Sequence, residues 1–164
     1  MQNKKLVFMT QAAMIAAIYV VLTVVFAPFS FREIQVRISE ALTILPAFTP
    51  AAVPGLFVGC LLGNILGGAA LPDIIFGSLA TLIGAFFTWK LRDKHPLLAP
   101  VPPILANALI VPFVLRYAYG VNLPIPLMML TVGLGEVVSA GVFGIILQTI
   151  LMKYENVLFK QNKA

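Results

Sequence analysis

Residues 38–72, ISEALTILPAFTPAAVPGLFVGCLLGNILGGAALP, decide the fold of this chain. No charge occurs between Ala41 and Pro72, a run too long for one comfortable membrane helix, since about 20 residues span the hydrocarbon core. Pro46, Pro50 and Pro54 interrupt it. Proline removes a backbone donor and biases its predecessor away from helix. The run therefore divides near Thr49-Pro50 into a short segment, about 38–49, and a second, about 51–68. Four further apolar runs flank it: Leu6–Phe31, Ile74–Trp89 and Leu97–Leu115, which are uncharged, and about Leu127–Met152, whose single charge is Glu136. The polar connection REIQVR, residues 32–37, follows the first of them.

Charge tests the division. With six spans and a cytoplasmic N-terminus, the inside carries Lys4, Lys5, Lys90, Arg92, Lys94, Lys153, Lys160 and Lys163, and the outside carries Arg32, Arg37 and Arg116. That is eight against three; a single helix over 38–68 reverses the count. The positive-inside rule selects six spans with both termini cytoplasmic. The expected fold is an all-α integral membrane bundle of six transmembrane helices, forming one membrane-embedded domain over residues 1–164. The short second span must be broken, tilted or shielded by protein.

Composition agrees. Of 164 residues, 60% are hydrophobic and 10% charged, where soluble domains have about 25% charged. Mean hydropathy is +1.01. No signal peptide with a small-residue cleavage site is evident, so the first apolar stretch is expected to be retained. The net charge of +5 gathers at segment ends, which reads as topology and contact with anionic lipid rather than nucleic-acid binding. Cys60 is the single cysteine, so neither an intramolecular disulfide nor a thiolate cluster forms. His95 is the single histidine and lies in a charged loop, which excludes a di-histidine metal site and argues against a Ser-His-Asp hydrolase. An enzyme is not expected, and neither a metal nor a cofactor is called for.

Glu40 and Glu136 stand inside apolar sequence, SEALTILPAF and TVGLGEVVSAGVFGII. A carboxylate at that depth costs a few kcal/mol or more and usually faces a bundle interior or a cavity. Structural pairing with Arg37 or Arg116 is one reading, but such pairs are poor devices for stability, because desolvation offsets much of the attraction. A site for a polar ligand is the other. Asn107, Asn64, Gln35, Arg37 and Asp73 supply further polar groups, and Phe29, Phe31, Tyr117 and Tyr119 are interfacial anchors or a lid.

Small residues mark close-packing faces. Gly55, Gly59 and Gly63 recur at spacing four. So do Ala12 with Ala16 and Ala13 with Ala17, a pattern that serves either packing within the bundle or docking of another protein.

The stretch FREIQVRISEALTILPAFTPAAVPGLFVGCLLGNILGG, followed by LPDIIFGSLATLIGAFFTWKLR, resembles the QueT family. These are the substrate-binding S components of energy-coupling factor (ECF) transporters assigned to queuosine precursors. The resemblance runs from the first helix through the GEVVSAG segment. It implies six helices with cytoplasmic termini, a ligand pocket near the external face, and docking of the two alanine pairs, Ala12, Ala13, Ala16 and Ala17, on a transmembrane coupling subunit. ATP would be hydrolysed by two separate ATPase subunits, in keeping with the lack of a GxxxxGK[ST] phosphate loop. The implied ligand is a 7-deazaguanine such as queuine or its aminomethyl precursor. Its guanine-like edge offers adjacent N–H donors that one carboxylate accepts together, and an aminomethyl cation would want a second carboxylate. The site expected on this reading comprises Glu40, Glu136, Asn107, Asn64, Gln35 and Arg37. Two other functions remain open: an S component for another vitamin-like solute, and an autonomous proton-coupled carrier. The absence of a convincing internal repeat weakens the carrier reading.

Overall fold

A computed structural model describes residues 3–26 and 37–158 of the chain, without the side chains of 155–158. Helices α1 (Lys4–Val25), α2 (Ala52–Leu66), α3 (Leu71–Leu91) and α4 (Val101–Ala118) are separate rods. Helices α5 (Ile125–Glu136) and α6 (Gly144–Leu158) are joined through a π-helical stretch, Val137–Phe143. Between α1 and α2 lies a 3₁₀ helix, Ile38–Ala47. The described residues contain no strand. Four helical segments are long and apolar enough to cross a membrane: Lys4–Val25, Leu71–Leu91, Pro96–Ala118 and Ile125–Tyr154. The protein is a multi-pass membrane protein.

The division at Thr49-Pro50 corresponds to a reversal of the chain. The 3₁₀ helix meets α1 through Thr23 with Ser39, Tyr19 with Glu40 and Gln11 with Thr49, so it runs against α1. Helix α2 meets the same helix in the opposite order, Gly55 at Ala12, Gly59 at Ala16 and Gly63 at Thr23, so it runs along α1. Asn64 and Cys60 then meet Asp73 and Thr81, which turns α3 back against α2. Gly84 against Pro103 turns α4 against α3, and Gly133 against Ala108 with Gly141 against Ile104 turns the last leg against α4.

The glycine face expected from spacing is where α1 and α2 touch. A Cβ on Gly55 would sit 2.7 Å from the carbonyl oxygen of Ala12, and one on Gly59 2.8 Å from Tyr19 Cβ. Helix α2 ends in a Schellman turn: Ala69 N–H donates to Asn64 O at 2.9 Å and Gly68 N–H to Ile65 O at 3.2 Å. Gly68 has φ 73°, a conformation open to glycine at little cost.

The short segment expected at about 38–49 is this 3₁₀ helix. A 3₁₀ rise of about 2.0 Å per residue makes it roughly 20 Å long, against roughly 15 Å as an α-helix. It is still shorter than the roughly 30 Å hydrocarbon core. It is buried continuously from Ser39 to Pro46 and packs on α1, α2, α3, the π stretch and α6. The shielding is therefore by protein on all sides. Polarity is inverted relative to a soluble domain: Leu71 is 69% exposed and Val21 58%, whereas Glu40 is 1% and Asp73 0% exposed. Apolar side chains face outward and ionisable ones inward, the arrangement lipid demands.

Candidate functional site

Glu40 enters the bundle because the 3₁₀ helix is its central element. The Tyr19 phenol, one turn beyond Ala16 on the inner face of α1, donates a hydrogen bond to Glu40 Oε1. Thr43 Oγ1 donates to the Glu40 carbonyl at 2.6 Å, and Thr23 Oγ1 to Ser39 Oγ at 2.9 Å. Six residues, about 9 Å of helix, separate Tyr19 from the end of α1 at Val25.

Glu136 reaches the same region from the last leg. It is the final residue of α5, where the helix widens into the π stretch. Such widenings occur frequently at functional sites, because an inserted residue re-aims the side chains beside it. Ser139 Oγ donates to Gly135 O at 2.9 Å within that stretch. Glu40 is the like charge and Arg37 the opposite charge that Glu136 feels. Asn107, from α4, is a polar neighbour of both carboxylates.

A second polar group adjoins the first. Arg37 pairs with Asp73 at 3.6 Å, both side chains almost fully buried. The Tyr119 hydroxyl donates to Asp73 Oδ2 at 2.9 Å and accepts from Ala70 N–H at 3.0 Å. Burial, with the Asp73 carboxylate beside it, pushes the Tyr119 phenol up, so the hydroxyl keeps its proton and its donor role. Asn64 Nδ2 donates to the Asp73 carbonyl at 3.4 Å, and Thr81 Oγ1 to Cys60 Sγ at 3.3 Å.

The acceptor atoms outnumber their donors. Glu40 Oε2, Glu136 Oε2, Asp73 Oδ1 and Asn64 Oδ1 are buried without a hydrogen-bond partner among the described residues. An unsatisfied buried acceptor costs about 1–3 kcal/mol, more when charged. This arrangement is therefore suited to a guest that brings several N–H or O–H donors.

Of the site residues expected from sequence, Glu40, Glu136, Asn107 and Arg37 come together, and Asn64 stands one contact away beside Asp73. Gln35 lies outside the described residues. Arg116 is not the partner of either glutamate: it donates to Val121 O at 3.3 Å near the exposed end of α4. Tyr19, the hydroxyl partner of Glu40, was missed; a tyrosine in mid-span needs a polar partner for its hydroxyl, and that was the available signal. Two cavities open elsewhere. One of about 440 Å³ lies between α3 and α4 and is lined by Phe76, Phe113 and Tyr117; one of about 140 Å³ lies beside Arg92, His95 and Gln148. Neither is lined by Glu40 or Glu136.

The alanine pairs separate. Ala16 is buried and Ala12 half-buried against the glycines of α2, while Ala13 and Ala17 are exposed.

Comparison with known proteins places these features in a family context. A family profile described as QueT transporter matches residues 9–153. A curated protein of Lactococcus lactis subsp. cremoris (strain MG1363), named Queuosine precursor transporter QueT, is 32% identical over 85 residues, 51% of this chain and 50% of that protein. The match thus spans about half of that relative's length. No solved structure matches.

Proposed function

The chain belongs to the QueT transporter family, and from that premise we propose that it is the substrate-binding subunit of an ATP-driven importer of the ECF type, taking up a queuosine precursor. The observation that carries the ligand is the buried pair Glu40 and Glu136, each with an unpartnered oxygen and each with Asn107 as a polar neighbour. A 7-deazaguanine presents adjacent ring and exocyclic N–H donors to a carboxylate and a carbonyl to an amide nitrogen. Both kinds of group are present, and charge-assisted hydrogen bonds of this type are the strong ones. The relative's printed name supports the same ligand class.

The topology proposed is six spans with both termini cytoplasmic. The eight-to-three charge count and the alternating direction of the legs support it. On this topology the glutamates lie toward the external half, and the ligand enters from outside. Energy would come from partner proteins: a transmembrane coupling subunit and two ATPase subunits. The outward pair Ala13 and Ala17 is the docking face on this reading, because small side chains let a second helix approach closely.

Reconstitution tests the proposal. Proteoliposomes holding this chain, the coupling subunit and the ATPases should accumulate queuine only with ATP inside. Uptake by the chain alone, driven by a proton gradient, would replace the proposal with an autonomous carrier.

A further inference from the structure

Helices α3 and α4 touch closely at one end and part at the other. Toward the Lys90 end, a Cβ on Gly84 would sit 2.7 Å from Pro103 Cα. Toward the opposite end they leave the cavity of about 440 Å³, lined by Pro72, Phe76, Leu109, Phe113, Tyr117 and Ala118. Two rows at spacing four face each other there, Pro72 and Phe76 on α3 and Leu109, Phe113 and Tyr117 on α4. The longer row covers eight residues, about 12 Å along the helix axis. The cavity is thus a groove that runs lengthwise between two helices long and apolar enough to cross the membrane. Phe76, Leu109, Phe113 and Tyr117 are all exposed, so it opens sideways to the surrounding hydrocarbon.

A positive charge stands at the end of this groove. Arg116 follows Leu109 by seven residues, almost two full turns, so it shares that side of α4. One of its five N–H donors goes to Val121 O at 3.3 Å, and it has no acidic partner among the described residues. A guanidinium with open donors is suited to a phosphate, and basic pockets between membrane helices bind lipid head groups. The Tyr117 ring beside it is of the kind that sits at head-group level. We propose that the groove holds one acyl chain of an anionic phospholipid, with the head-group phosphate on Arg116. A zwitterionic lipid fits the groove equally well, but its own ammonium offsets the attraction. Pro72 and Ala118 immediately precede Asp73 and Tyr119, whose hydrogen bond of 2.9 Å joins the same two helix ends. A chain seated between them braces that junction, so the bound lipid stabilises the fold.

Native mass spectrometry of the purified, delipidated chain tests this, with phosphatidylglycerol and phosphatidylcholine of equal chain length added back. The parent chain should retain one phosphatidylglycerol in preference to phosphatidylcholine by roughly fivefold, the factor expected for one basic residue at the membrane surface. Phosphatidylglycerol should also raise its thermal midpoint. Arg116→Gln, on an exposed side chain, should remove the preference while leaving the fold intact. Leu109→Trp, which fills the groove, should lower retention of both lipids. Arg92→Gln, beyond the opposite end of α3, should change neither. Thermal unfolding confirms that each variant is folded, and Arg116→Gln decides the matter if Leu109→Trp is not. Retention of neither lipid by the parent chain overturns the inference, as does equal retention of the two. Loss of the preference in Arg92→Gln and not in Arg116→Gln moves the lipid to the other end of the helices and overturns it. A lipid-free dimer that Leu109→Trp dissociates gives the groove to a second copy of the chain and overturns it too.

Discussion

The Tyr19 phenol donates its hydrogen bond to Glu40 Oε1 across the interface between α1 and the 3₁₀ helix. The contact fixes a carboxylate that is 1% exposed, and it ties the central element of the bundle to the helix that carries the alanine pairs. Tyr19→Phe removes the donor and leaves Glu40 with a second unpartnered oxygen. The expected loss is about 1–3 kcal/mol of stability. Thermal unfolding in detergent should show a lowered midpoint, and ligand affinity should fall with it. An unchanged midpoint and affinity would remove Tyr19 from the site.

The α1–α2 contact should tolerate no side chain at Gly59. A Cβ there stands 2.8 Å from Tyr19 Cβ and 3.1 Å from Ala16 Cα. Gly59→Ala should therefore cost about 1–3 kcal/mol through overpacking. Gly133→Ala is the control, because its Cβ would meet Ala108 Cβ at 3.7 Å, an ordinary contact. Comparing the two thermal midpoints separates crowding from the general effect of adding a methyl group.

Docking and internal packing should divide between the two alanine pairs. Ala17→Trp and Ala13→Trp place bulk on an exposed face; they should leave folding and ligand binding intact and abolish co-purification with the coupling subunit. Ala16→Trp drives bulk into Gly59 and should lower stability before any partner is added. Normal association of Ala13→Trp and Ala17→Trp would move the docking face elsewhere.

Topology should follow the charge count. In a Cys60→Ala background, a cysteine at exposed Asn122 should react with an impermeant reagent on intact cells. A cysteine at exposed Lys94 should react only after permeabilisation. Reversed labelling would reject cytoplasmic termini.

Much of this organisation was legible in the sequence because lipid leaves few options for a charge. Glu40 and Glu136 are conspicuous as acids in apolar runs, and the three prolines announced the reversal near Thr49. The 3₁₀ form of Ile38–Ala47 was not legible, since SEALTIL has no local feature that separates 3₁₀ from α; the form is set by burial on every side. Pairings such as Arg37 with Asp73 and Asp73 with Tyr119 join residues 36 and 46 positions apart and depend on how the legs assemble. Spacing revealed both alanine pairs but not which of them turns inward, because the two pairs sit about 100° apart on one helix. That choice is made by the glycines of α2.

The proposed binding of a queuosine precursor by Glu40 and Glu136 is tested most directly by calorimetric titration of queuine into the parent chain and into Glu40→Gln. A buried charged hydrogen bond left unpaired costs about 2–5 kcal/mol, and about 1.4 kcal/mol is tenfold in affinity. The parent chain should bind queuine saturably at one site, and the folded Glu40→Gln variant should bind it more weakly by well over an order of magnitude. Equal affinity in the two folded proteins would make the carboxylate structural and contradict the account.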